Sequence, residues 1–451
     1  MARYAKFFSV GGGGGGTNNL QLPVGTVLDT TLRQVQDGLG TGSPLYISTL
    51  RLGITSDTSV TTQTSSVIQA TTTNANLVIA PNGTGALIAD IPDSTPTGGN
   101  ARGDNAVDLQ TYRAGAPEVA SGDISVIGGG RGNTASNNYS VVSGGYSNIS
   151  SGQFSYVGAG TSNTASSNYS TVSGGQSNTA STNTHATVVG GQSNTSSGQH
   201  SVSGGQNNVA SGNEASVALG IGNTASGARS VAIGALCTAS GLNATCFGRQ
   251  NQASGGSSFI GGGEANQATA DYSAAFGLHA LANQFGAITN ANGIFQYKGD
   301  AQVVNLLARK QDSLTTGATT KLSLDGTGTT NLIDFGLSGS YAFSFLVTIK
   351  WSAGINNANG AAGISNDDCI TQTDQIMMKK LRYGALSLVG TTSTLVTKGD
   401  ASMTTSAMNY SVSGTSELVL NYQAPTFASG GPITVRVLAS IEVVSLTTAP
   451  F

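Results

Sequence analysis

Side chains that could do chemistry are few and scattered in this chain. The histidines are His185, His200 and His279, and their placement suggests no Ser/Cys–His–carboxylate grouping. Between residues 121 and 288 the acidic side chains Asp123, Glu214, Glu264 and Asp271 stand alone. Glycoside hydrolysis, by contrast, uses two carboxylates roughly 5–10 Å apart. Calcium-binding rolls carry an aspartate in each glycine-rich turn, where this chain has asparagine or threonine. Cys237, Cys246 and Cys369 are too few and too scattered for a disulfide framework or a zinc site. The expectation is a protein that is not an enzyme and needs no metal or cofactor. Arg102-Gly103-Asp104 reads as a polar turn.

Binding chemistry has better candidates. Tyr139, Phe154, Tyr169 and His185 each lie nine residues before an asparagine, and His200 follows one position out of phase. Rings aligned this way could form an exposed strip on which sugar rings stack; the alternative is a plug between coils or protomers. Trp351, Tyr383, Tyr410 and Tyr422 offer aromatic anchors near the C-terminus, for recognition or for a core. Arg3, Tyr4, Phe7 and Phe8 precede the run Gly11–Gly16 and would suit docking of an arm into a larger assembly.

What must position the rings is an internal repeat. Asn133, Asn148, Asn163, Asn178, Asn194, Asn208 and Asn223 recur at steps of 14–16 residues, followed by Asn251 and Asn266, with Thr238 filling the gap. Six residues before the asparagine stands a β-branched residue: Ile127, Val142, Val157, Val172, Val188, Val202, Val217 and Ile260. Two residues after it comes a small one, such as Ala135, Ser150 or Ala165. A 15-residue unit with two short extended runs and two Gly/Asn/Ser corners is one coil of a β-solenoid. Its glycines and asparagines are expected at the positive-φ corners, and its valines stacked as a ladder at about 4.8 Å per coil. Such a coil buries little: one Val and one or two Ala against an ordering cost of about 1–2 kcal/mol per residue. Three rolls around a common axis would bury the valine column a second time, so a homotrimer is expected.

The flanks read differently. Residues 1–20 form a glycine-rich attachment arm, and residues 21–120 alternate short β-like runs with turns as an N-terminal trimeric β region. The repeat shaft covers 121–288, a linker 289–300, and the alternating runs of 301–451 suit an antiparallel β-sandwich head. The chain is therefore expected to be all-β. Its 64 glycines among 451 residues fit this, whereas 9 prolines are too few for collagen. A charged fraction of 9% excludes charge-rich disorder and helical bundles. A net charge of −3 without a basic block argues against nucleic acid as partner. Lack of a long apolar run argues against membrane insertion, and the short apolar stretch near the N-terminus against an export signal, so folding in a cytoplasm is expected.

The stretches Ser216-Val-Ala-Leu-Gly220 and Ser230-Val-Ala-Ile-Gly234, each with an Ala-Ser-Gly following, resemble the head repeats of trimeric autotransporter adhesins. The repeat is also similar to those of tailed-phage fibre proteins. So are Arg102–Arg113 and the C-terminal runs Leu322–Gly326, Ser340–Thr348 and Val435–Ala439. The resemblance implies a trimeric left-handed parallel β-roll within a virion fibre. That fibre would be assembled in the host cytoplasm, attached through its N-terminal arm to other virion proteins, and adhesive toward a host-surface glycan or protein. A tail fibre is the expected form; a capsid-attached head fibre or decoration protein and a receptor-degrading tailspike are the competing ones.

Overall fold

The computed structural model describes residues 81–447, apart from 82, 218, 295–297, 300, 328–332, 335–342, 358–367, 381–385, 400–402, 404–405, 414–416 and 427–431. Before residue 80 it describes five strands. The described residues contain β-structure and turns and no α-helix. Residues 1–79 form a unit of their own. In it Phe8–Val10 pairs antiparallel with Asn18–Leu20, and Arg33–Gln36, Gly42–Ile47 and Leu52–Ile54 make a three-stranded antiparallel sheet. Arg3, Tyr4, Phe7 and Gly11–Gly16 lie outside the described residues, whereas Phe8 begins the first strand.

In the second unit the repeat folds as a β-solenoid, each coil adding one short strand to each of two parallel ladders. One ladder runs from Leu87–Ile88 through Val107–Asp108 and Val126–Ile127 to Ile288–Asn292. The other has eleven strands, from Thr134–Ala135 to Leu281–Ala282. The coiling thus starts before residue 121, the start expected from the repeat. Alternation decides which residue enters the core: Val142 is fully buried while Val141 before it faces outward, and the pair repeats coil after coil. Ile127, Val142, Val157, Val172, Val188, Val217 and Ile260 are all 0% exposed and stack in one column, facing the Ala135–Ser150–Ala165 column of the second ladder.

Val202 departs from the expectation. Ser203, not Val202, stands opposite Val188 and Val217, and Val202 turns outward. The cause is a shorter coil. Six residues separate Val188 from Asn194, but five separate Ser203 from Asn208, so counting back six overshoots by one and reverses the face. Coils with the shorter connection pair as five-residue strands, Val202–Gln206, Val231–Ala235, Thr245–Arg249 and Ala274–Leu278. Most coils with the longer one pair over two residues and resume beyond a glycine at a single bridge such as Arg131↔Tyr146.

The asparagines also do something other than expected. They are buried, and none in the column from Asn133 to Asn223 has positive φ; the left-handed residues are those just before them, Ser147, Ser162, Ser177 and Ser193 among others. Each asparagine from Asn148 to Asn208 instead ties three coils together through its carboxamide and its backbone N–H. Asn163 donates from Nδ2 to Ala159 O at 3.1 Å and to Gly175 O at 2.9 Å, and its backbone N–H donates to Asn148 Oδ1 at 3.0 Å. Buried Gln110 opens the column, its Oε1 accepting the Asn133 N–H at 2.9 Å. Cys237, not Thr238, fills the gap: its N–H donates to Asn223 Oδ1 at 2.9 Å, while Thr238 pairs with Thr224. Close stacking leaves little room at the corner. At Gly145 (φ +95°) a Cβ would lie 2.3 Å from Gly160 O.

The solenoid sheet runs on into the C-terminal part. Ile288–Asn292, which runs from the end of the expected shaft into the expected linker, pairs antiparallel with Ala301–Leu314. Next in order come Ile433–Thr447, Phe343–Asn356, Cys369–Lys380 and Leu386–Gly399, all antiparallel. A second sheet joins Glu417–Gln423 to Thr319–Lys321, Ile333–Asp334 and Ala407–Ser413. Trp351 from one sheet meets Tyr422 from the other edge to face, ring centroids 6.0 Å apart, in a core that includes Ile349, Met378, Leu418 and Leu420. The two sheets form the expected sandwich.

Candidate functional site

Tyr139, Phe154, Tyr169, His185 and His200 come together as one stack at a corner of the solenoid. Successive ring centroids are 4.6, 5.2, 4.9 and 4.9 Å apart, and the planes of the first three pairs lie within 10° of parallel. The backbone places them: each residue has φ between 54° and 63°. Each except the first donates its N–H to the carbonyl one residue before the preceding ring, as Tyr169 does to Gln153. Left-handed corners repeated every coil put the side chains in register at the coil spacing.

That register also limits what the strip can do. Interior rings have both faces against neighbouring rings, so sugars cannot lie flat along the column as the sequence suggested. What faces solvent is a line of ring edges, with Tyr139 and Tyr169 carrying hydroxyls and His185 and His200 ring nitrogens. Such a row offers hydrogen-bonding groups at the coil spacing. Farther along the same corner stand Glu214 and Arg229, the latter donating from Nε to Asn243 Oδ1 at 2.7 Å.

The Arg102–Arg113 segment is structural. Arg102 Nε meets Asp108 Oδ2 at 2.9 Å, and Arg113 reaches Asp108 at 3.3 Å and Asp90 at 3.0 Å, with both arginine side chains buried. The Arg-Gly-Asp tripeptide therefore does not present its arginine to solvent.

Among the C-terminal aromatics, Trp351 and Tyr422 are core and Tyr410 is half-buried, while Tyr383 lies outside the described residues. Trp351 Nε1 donates to the buried Asp374 carboxylate at 3.0 Å, joined by Gln372 at 2.7 Å, Thr394 at 2.9 Å and the Tyr410 hydroxyl. Burial, and next the Asp374 carboxylate, push the Tyr410 phenol well above its ordinary value. Cys237 and Cys246 are buried free thiols inside the solenoid. Cys237 Sγ donates to Gly248 O at 3.1 Å, and the neighbouring Cys237 together with burial pushes the Cys246 thiol up. Among the described residues no group of three or more His, Cys, Asp or Glu side chains converges to hold a metal ion. No described helix is long and apolar enough to cross a membrane.

No family model matches the chain, and no curated protein matches it. Three phage tailspikes of solved structure are similar to it. The tailspike protein of Acinetobacter baumannii phage AM24 is 11% identical, over 76% of this chain and 57% of its own, with a TM-score of 0.23. This chain therefore spans less than two thirds of that protein. The tailspike of Acinetobacter phage vB_ApiP_P1 is 10% identical, over 80% of this chain and 76% of its own, with a TM-score of 0.24. That of A. baumannii bacteriophage Fri1, described as a capsular polysaccharide depolymerase, is 10% identical, over 76% of this chain and 71% of its own, with a TM-score of 0.16. The expectation that this chain is not an enzyme is corrected by that description. It rested on histidines without a triad grouping and on acidic residues standing alone between 121 and 288.

The sequence reading missed the Asp374 cluster and a basic cleft over Arg309 and Arg436. Both depend on which strands pair. The available signal was the alternation Arg309-x-Gln311 and Thr434-x-Arg436, which puts polar and cationic residues on one phase of each strand.

Proposed function

We propose that the chain is a receptor-binding protein of a tailed-phage virion: a homotrimeric tail fibre whose solenoid is a stiff shaft and whose exposed surfaces hold a bacterial surface glycan. The observation that carries the reading is the outer face of the first ladder. There Val126, Val141, Tyr156, Val231, Phe259 and Ile288 look away from the filled interior, and Tyr156, Phe259 and Ile288 are 38–48% exposed. A sheet whose outer side is mostly apolar, with Thr171, Thr187, Ser216 and Thr245 among the apolar positions, asks for a partner on that side, and a uniform column of coils asks for one of equal length. Further copies of the same chain meet both needs. Three copies also repeat each glycan-binding surface three times, so that weak contacts sum to firm attachment. The N-terminal arm would join the shaft to other virion proteins.

Immunogold labelling of purified virions, paired with binding of the labelled protein to host cells, tests this. Label on the tail and loss of binding to cells stripped of surface polysaccharide are expected. Label on the capsid would make it a head fibre. Particles without label, or unchanged binding to stripped cells, would overturn the reading. Incubation with the isolated polysaccharide separates an adhesive fibre from a degrading tailspike by the length of the polymer left.

A further inference from the structure

We infer that the C-terminal sandwich carries a binding site for a carboxylate-bearing sugar, in a cleft of about 570 Å³ over the outer face of its larger sheet. The inference rests on the surface-glycan reading and names the glycan's chemical class.

Three long strands build the floor. Ala301–Leu314, Ile433–Thr447 and Phe343–Asn356 lie side by side, with Gln311 opposite Arg436, Arg309 opposite Leu438, and Leu438 opposite Ser352. Alternation sends all five to the same outer face, while Ala308, Val437 and Ala353 on the opposite phase are buried and Lys310 is half-buried. The floor is thus two guanidinium groups flanking Leu438, which is 45% exposed, with an amide and a hydroxyl at the rim.

A turn supplies the wall. Asp325 Oδ1 accepts from Ser323 Oγ at 2.7 Å and from the Thr327 N–H at 3.0 Å, closing residues 323–327 into a fixed loop. Lys310 Nζ, crossing from the neighbouring strand position, donates to Thr327 O at 2.6 Å and ties the loop to the sheet. The loop passes so close that a Cβ on Gly326 (φ +86°) would stand 3.1 Å from Arg309 Nε.

The charges favour an anion: Arg309, Lys310 and Arg436 outnumber the one carboxylate of the lining, Asp325, whose Oδ1 accepts from Ser323 and Thr327. Arg436 is held by Nε against Gln311 Oε1 at 2.9 Å, which orients the guanidinium without neutralising it. Among the described residues neither Arg309 nor Arg436 forms an ion pair. Two guanidinium forks match the two oxygens of a carboxylate, and the apolar side chain between them suits the C–H face of a pyranose. A neutral sugar would leave both cations unanswered. A cleft of this volume takes one or two sugar residues, so each site is weak and three copies supply the strength.

Calorimetric titration of the full chain with oligogalacturonate, against a neutral dextran oligosaccharide of equal length, tests the assignment. The acidic oligomer is expected to bind and the neutral one not to, and Arg309→Gln with Arg436→Gln should weaken binding by about tenfold or more. Both side chains are exposed, so thermal unfolding of the double variant should match the parent. The paired Lys variants keep the charge but lose the fork, and should recover only part of the affinity. Equal binding of the neutral oligomer, unchanged affinity in the double variant, or displacement by equimolar inorganic phosphate would overturn the inference. A protein that binds host cells yet fails here refutes the cleft alone. One that binds the acidic oligomer but no host cell refutes the receptor-binding reading and leaves the cleft standing.

Discussion

Replacing Asn163 by alanine would remove one rung from the middle of the buried amide column, and its cost can be worked from the contacts. Nδ2 donates to Ala159 O at 3.1 Å, Gly175 O at 2.9 Å and Asn148 Oδ1 at 3.1 Å, and Oδ1 accepts the Asn178 N–H at 3.1 Å. Each such bond contributes about 0.5–1.5 kcal/mol net, and an orphaned buried donor such as the Asn178 N–H costs about 1–3 kcal/mol. The four bonds are not independent, so the expected loss is about 3–5 kcal/mol. With a urea m-value of about 3 kcal/mol per molar, the midpoint should fall by about 1–1.7 M, read by far-ultraviolet circular dichroism. The comparison is Asn168→Ala. Asn168 is exposed and accepts the Gln153 N–H at 3.0 Å, so its loss should stay within about 0.5 kcal/mol. If the two variants shift the midpoint equally, the carboxamide column is not what fastens coil to coil.

Three further outcomes are expected. Phe154→Ala should cost about 1–3 kcal/mol, since it removes two ring stacks of about 0.5–1.5 kcal/mol each; Phe154→Gly should cost less, because φ at this position is 56° and glycine adopts it without strain. Thermal melts that rank them the other way would remove backbone strain from the account. Ser203→Val should stabilise by about 1 kcal/mol, since the buried Ser203 Oγ has no partner and its column neighbours are Val188 and Val217; a lower urea midpoint would mean that the short coil has no room for two methyls. Because the Tyr410 phenol is raised in the folded state, its contribution is present below pH ~10, where unfolded tyrosine titrates, and is lost as pH climbs from there toward the folded value. Urea midpoints followed by emission of the single tryptophan should fall above pH ~10, and less steeply in Tyr410→Phe.

Much of the solenoid was legible because a coil confronts its own copy. Periodicity gave the coils, the valine column and the small-residue column directly, since parallel in-register stacking turns a sequence period into a spatial one. It misplaced Val202 and Thr238 for one reason: a one-residue deletion leaves the period nearly intact but moves the phase, and phase decides which side of a strand is buried. The asparagines were found by spacing but assigned the wrong work, because composition links Asn to left-handed turns while burial makes it a hydrogen-bonding spine. Ring alignment was likewise legible, but ring orientation was not, and orientation exchanges open faces for edges. The C-terminal cleft depends on the pairing of segments more than 100 residues apart, such as Gln311 with Arg436. No local pattern carries that register.

The same stacking explains where charge is allowed. A charged residue repeated in one column would face a like charge about one coil away, roughly 4.8 Å, and like charges at that range destabilise each other. The ring corner answers with aromatic rings for five coils and then alternates sign, Glu214 followed by Arg229, with the neutral Asn243 accepting from the arginine. The opposite edge does the same. Arg249 and Glu264 occupy bridged positions in adjacent coils and pair at 3.3 Å, both well exposed. Such exposed pairs stabilise by only about 0–1 kcal/mol, so their sign pattern guards against repulsion more than it adds strength. The sandwich is free of that rule, because its strands do not copy one another. Two arginines can therefore stand on neighbouring strands there without a repeat to punish them, and with Lys310 they leave the cleft an excess of positive charge over Asp325 for an anionic ligand.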